Sequence, residues 1–175
     1  SRAGALPVLI ADFEDRAPRF EWPAARGLLT GDLDGDGRDD VIVLRGAEPP
    51  ATLLSAAAPG SPGGVSLREV SVTLLGPGEV VSGVLFDADH DGDLDALLPA
   101  VDGRDKLLLG DGWGRLLDAT AGAMPVDWSA GRSVAKADLD GDGHLDVVIG
   151  NAGSADRLYL GRGDGRLQDA TPVLG

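Results

Sequence analysis

The chain has 175 residues, 43% hydrophobic and 4% aromatic, with 27 glycines, no cysteine and a formal net charge of −14. That length builds one core or one repeat array, and the acidity argues against nucleic acid or an anionic membrane as a partner. The lack of cysteine excludes a disulfide scaffold and thiolate metal sites, and no run reaches the roughly 18 to 20 apolar residues of a membrane span.

The N-terminus, Ser1-Arg2-Ala3-Gly4, lacks the apolar core of a signal peptide, and it reads as a mature or trimmed end. Leu6 to Phe13 has strand character. Phe13-Glu14-Asp15 stands, relative to the next acidic loop, where Leu116-Leu117-Asp118 stands later. The chain is therefore expected to open with the last strand of a unit whose earlier part is missing. Residues 1–19 form an N-terminal strand or arm in this reading. The strand is a candidate for adding to a neighbour's sheet edge.

Three acidic loops follow. The first is Asp32-Leu33-Asp34-Gly35-Asp36-Gly37-Arg38-Asp39-Asp40. The second is Asp87-Ala88-Asp89-His90-Asp91-Gly92-Asp93-Leu94-Asp95, and the third is Asp138-Leu139-Asp140-Gly141-Asp142-Gly143-His144-Leu145-Asp146. Each carries aspartates at positions 1, 3, 5 and 9 and glycine at position 6. Alternate short carboxylates on a tight loop can converge on one hard cation, the glycine permits the turn, and the position-7 carbonyl can add an oxygen. Three copies in one phase predict three Ca²⁺ sites. Carboxylates so close together would otherwise repel strongly.

The loops sit inside a longer repeat. Lys106 to Thr120 aligns without a gap on Arg157 to Thr171, at the same offset as Asp87 to Asp138. The first unit is looser, with a Pro/Gly/Ala insertion over Ala56 to Gly64. Within the last unit four short apolar runs stand between Gly, Asp, Asn and Ser clusters. They are Arg132–Ala137, Val147–Ile149, Leu158–Leu160 and Leu167–Thr171. No window keeps helical periodicity over three turns. Position 12 is Val43, Leu98 or Ile149, where an EF-hand has a bidentate Glu, so the loop joins strands and not helices. Four strands in about 50 residues make a β-propeller blade. The predicted fold is all-β: three four-stranded antiparallel blades, about 20–72, 73–121 and 122–172, plus an extra N-terminal strand.

The Asp-x-Asp-x-Asp-Gly-x-x-Asp loop, with the tail Leu-Gly, Gly-Asp-Gly-Arg-Leu and Asp-Ala-Thr, resembles the FG-GAP or VCBS repeats of integrin-α-like propellers. The resemblance spans about residues 13 to 171. It implies that the loop joins the first two strands of a blade and binds Ca²⁺ there. The implied ligands are Asp32, Asp34, Asp36 and Asp40; Asp87, Asp89, Asp91 and Asp95; and Asp138, Asp140, Asp142 and Asp146. Backbone oxygens of Arg38, Asp93 and His144 would complete the sets. Propellers close with about four to eight blades. Three cannot, so the array is expected to be part of a larger chain or to self-assemble, as a ring or as a filament.

Other signals are weaker. His90 and His144 have no neighbouring His or Cys at ligand spacing along the chain, and zinc is not expected. Arg162-Gly163-Asp164 spells an integrin-recognition tripeptide but falls in a repeat turn. Trp22, Trp113 and Trp128 suit packing or exposed turns better than a ligand surface. No catalytic set stands outside the loops, so enzymatic activity is not expected. The function expected is a Ca²⁺-stabilised extracellular or periplasmic module, binding protein or glycan and self-assembling as a homo-oligomer. The alternative is the propeller scaffold of a secreted enzyme, such as a polysaccharide lyase.

Overall fold

The computed structural model describes residues 9–11, 25–60, 63–71, 79–102 and 104–174. They form thirteen strands in three antiparallel sheets. Blade 1 holds β2 (Gly27–Gly31), β3 (Asp40–Arg45), β4 (Glu48–Ala57) and β5 (Val65–Ser71), with β1 (Leu9–Ala11) added beside β5. Blade 2 is β6 (Val84–Phe86), β7 (Asp95–Leu98), β8 (Lys106–Gly110) and β9 (Leu116–Asp118). Blade 3 is β10 (Gly131–Ala137), β11 (Asp146–Asn151), β12 (Arg157–Gly161) and β13 (Leu167–Asp169). Within each blade the four consecutive strands are sheet neighbours, as in a meander, and only β1 stands out of order, at the far edge from β2. Among the described residues no helix is long and apolar enough to cross a membrane.

The N-terminal strand joins its own chain, with Leu9 opposite Leu67 and Ala11 opposite Val65. The expected strand at Phe13-Glu14-Asp15 lies outside the described residues.

Blade 2 is covered on both sides, which explains why Ala96-Leu97-Leu98 is a continuous apolar run. Successive strand residues point to opposite faces. Ala96, Leu98 and Leu108 join Ile42, Leu44 and Leu54 in one core between blades 1 and 2. Leu97, Leu107 and Phe86 join Val147, Ile149 and Tyr159 in a second core between blades 2 and 3. Leu97 and Leu107 are wholly buried, and each contributes roughly 1.5 to 3 kcal/mol of hydrophobic stabilisation.

The Asp-Ala-Thr tail ends a blade, and the last strand is shorter than its sequence suggests. Asp118 and Asp169 accept the amides of Thr120 and Thr171 at 2.9 and 2.8 Å, which turns the chain out of the ladder. The threonine hydroxyls then accept the Leu107 and Leu158 amides at 3.0 and 3.3 Å. A helical turn (Thr120–Ala123) and a 3-10 turn (Thr171–Leu174) start there.

Candidate metal centre

Each acidic loop connects the first two strands of its blade, and the three share one set of internal bonds. The position-1 carboxylate accepts the position-6 amide: Gly37 to Asp32 at 2.8 Å, Gly92 to Asp87 at 3.1 Å, Gly143 to Asp138 at 3.1 Å. Position 3 accepts the position-5 amide at 3.1 to 3.3 Å. Position 5 accepts the position-7 amide, with Arg38, Asp93 and His144 each donating at 2.9 Å. Local side-chain-to-backbone bonds of this kind hold the aspartates in a tight loop. Gly37, Gly92 and Gly143 have φ of 84°, 96° and 91°, which glycine adopts without strain.

Carboxylate oxygens converge in all three loops. Asp32, Asp34 and Asp36 each bring an oxygen within 4.8 Å of the others. So do Asp87, Asp89 and Asp95, and Asp138, Asp140 and Asp146. Position 5 joins the tight set in loop 1, and position 9 joins it in loops 2 and 3. Asp36 also pairs with Arg38 at 2.8 Å, a cation that loops 2 and 3 lack at that position. Asp40, Asp91 and Asp142 stand in the loops outside these closest triads.

Position 9 has a second role that spacing alone did not reveal. Asp40, Asp95 and Asp146 are fully buried. One oxygen of each accepts the position-2 amide, from Leu33 at 2.9 Å, Ala88 at 2.6 Å and Leu139 at 2.8 Å. The other accepts an amide of the third strand, from Ser55 at 2.7 Å, Gly110 at 2.8 Å and Gly161 at 2.9 Å. The aspartate thus braces loop, second strand and third strand together. The sequence signal was present: position 9 opens an apolar strand, where a solvated charge does not belong.

Electrostatics favour a cation. Burial raises the carboxyls of Asp40 and Asp89, and pushes Asp95 up to about 6; nearby aspartates raise each further. Asp87 Oδ1 is buried without a hydrogen-bond partner. An all-oxygen donor set with a bare buried carboxylate oxygen fits a hard divalent cation.

Residues 87–149 and 138–175 match the FG-GAP-like repeat. The chain belongs to the FG-GAP-like repeat family. Comparison with curated proteins gives no significant match. The FG-GAP-like match takes in loops 2 and 3; loop 1 lies before it, yet carries the same internal bonds.

The other candidates are placed as follows. In Arg162-Gly163-Asp164, Gly163 has φ +65° and Asp164 accepts the Arg166 amide at 3.2 Å, so the repeat turn itself uses both residues. Trp113 and Trp128 are exposed, and Trp22 lies outside the described residues. Trp113 lines an open groove with Arg68 and Arg115, where β5 of blade 1 meets the β8–β9 turn. A half-buried polar cluster, unmarked in the sequence, ties the blade 2–3 linker to blade 3. Asp127 accepts from Arg157 Nε at 2.7 Å, Tyr159 Oη at 3.1 Å and Ser129 Oγ at 2.6 Å. Burial alone would raise the Asp127 carboxyl, but these bonds together outweigh it and hold it well below the usual range.

Proposed function

We propose that the chain is a Ca²⁺-stabilised, non-catalytic repeat module that works outside the cell or in a periplasm, and that it acts by contact through the open face of blade 3. The ions would be held by the position-1, -3, -5 and -9 aspartates and the position-7 carbonyls of the three loops. Bound there, Ca²⁺ supplies charge neutralisation and a cross-link, so its binding energy is folding energy. Extracellular modules with such ligands work at millimolar calcium, which is why this compartment suits it.

One observation carries the contact reading. Position 2 of each loop lies at the face toward the following blade. Leu33 and Ala88 are 4% and 7% exposed there, whereas Leu139, their equivalent in blade 3, is 54% exposed. In the β11 strand Val148 is half-buried, where its equivalents Ile42 and Leu97 are 1% and 0% exposed. The partner that fits this face is another blade, from a second copy of the chain or from further repeats of a longer one; a second copy is the case that can be tested on this chain. Light scattering in millimolar Ca²⁺ tests this. Mass should grow with concentration above the 17.8 kDa of one chain, and Leu139→Glu should abolish the growth. A single 17.8 kDa species at every concentration would overturn assembly through blade 3.

A further inference from the structure

We propose that His90 and His144 form a Zn²⁺ site where loops 2 and 3 meet, separate from the three aspartate triads. The two side chains lie 54 residues apart in sequence, and the fold brings His90 Nε2 to 3.4 Å from His144 Nδ1. The ring centroids are 4.6 Å apart, with the planes tilted by 39°. That separation is long for an N–H···N hydrogen bond. It is close to the ~3.3 Å between two nitrogens each about 2.05 Å from one tetrahedral ion.

Two further features frame the pair. Position 4 is Gly35 in loop 1 and Gly141 in loop 3, at φ of 72° and 79°. Loop 2 places His90 in that same left-handed conformation, at φ 61°, where glycine would sit without strain. Backbone strain of this kind points to a local role for the side chain. The His144 ring in turn rests on Gly163, as Asp93 rests on Gly112 in blade 2, so a turn glycine fixes where the position-7 side chain lies. At the equivalent junction of blades 1 and 2 the same positions carry Gly35 and Asp93, so the imidazole pair occurs at one junction of the two.

The chemistry selects the ion. Imidazole nitrogen is a ligand for borderline metals such as Zn²⁺, while Ca²⁺ takes oxygen ligands. With the aspartate loops saturated by Ca²⁺, the two imidazoles remain available. Flanking carboxylates make the potential negative there, and water completes the coordination shell. A bound ion would cross-link loop 2 to loop 3 and so pin blade 2 against blade 3.

The test uses the whole chain in saturating Ca²⁺, titrated with Zn²⁺ alone. The chain holds two histidines, so both imidazoles can be followed singly by proton NMR. Both should shift together, saturating at one Zn²⁺ per chain. His90→Gly, which restores the residue of loops 1 and 3, should weaken Zn²⁺ at least tenfold and leave Ca²⁺-dependent stability equal or higher. His144→Arg, the residue of loop 1, should do the same to Zn²⁺. Zn²⁺ that shifts neither ring or only one, or that binds both variants as well as the parent, would overturn the site. None of these outcomes depends on whether copies assemble through blade 3.

Discussion

Gly114 donates its backbone N–H to the Leu33 carbonyl at 2.9 Å, and Gly165 does the same to Ala88 at 3.1 Å. The hairpin turn of one blade is thereby latched to loop position 2 of the preceding blade. Position 2 also donates its own N–H to the position-9 aspartate of its blade, as Leu33 does to Asp40. One residue therefore couples the acidic loop, the buried brace and the blade interface.

The latch needs glycine. Gly114 has φ +82°, and a Cβ there would meet the Leu54 side chain at 2.6 Å. Gly114→Ala should cost roughly 2 to 3 kcal/mol, combining left-handed strain with displacement of Leu54. Gly153→Ala has a similar φ of +80° but open space around it, and should cost only about 1 kcal/mol. Urea unfolding of the two variants separates the terms.

Position 9 should matter even without an ion. Asp95→Asn turns one buried acceptor into a donor facing a backbone amide, and should cost roughly 2 to 4 kcal/mol in chelator. Asp91→Asn, at exposed position 5, should leave stability in chelator nearly unchanged while weakening Ca²⁺. Equal behaviour of the two variants in chelator would contradict the brace.

Asp105 gives stability a pH dependence. Its carboxyl is buried, one oxygen accepts the Ala100 amide at 2.9 Å, and the other has no hydrogen-bond partner. Burial pushes its pKa up to about 6. A folded-state pKa above the unfolded value means a cost that is full above pH 6 and relieved as pH falls from 6 toward 4. That cost is roughly 2 to 3 kcal/mol at most. Replacing the carboxyl by the neutral amide in Asp105→Asn should flatten this arm. The stability gap between variant and parent, measured in chelator, should shift between pH 7.5 and pH 5; a constant gap would contradict the assignment.

The Asp127 cluster should hold blade 3 to its linker. Asp127→Ala leaves Arg157 and the Tyr159 hydroxyl without their shared acceptor, and should cost roughly 2 to 3 kcal/mol. The Asp127 carboxyl is held low by its donors, so the stability it contributes is present above its ordinary pKa and lost as pH falls through the lowered value. Thermal unfolding of variant and parent at pH 7 checks the magnitude.

What was legible in the sequence was local chemistry and its period. Asp, Gly and apolar residues recurring in one phase placed the loops between strands, whereas the burial of Ala96-Leu97-Leu98 on both faces emerged only with the fold. Residue identity at one position did not carry what depends on a neighbouring blade. Leu139 matches Leu33 in sequence, and only the fold shows that one is open and the other covered. The last strand was read through Ala170-Thr171 because those residues continue its pattern, whereas Asp169 turns the chain there by accepting the Thr171 amide. The His90–His144 approach was missed because ligand spacing was sought along the chain, and the pair forms across two blades.

The central claim is that the loops hold Ca²⁺ and that the ion stabilises the fold. Calorimetric titration of the metal-free chain, with thermal unfolding of the same samples, tests it most directly. Three Ca²⁺ per chain and a melting temperature that rises with Ca²⁺ are the predicted result. No binding heat, with the same melting temperature in Ca²⁺ and in chelator, would contradict it.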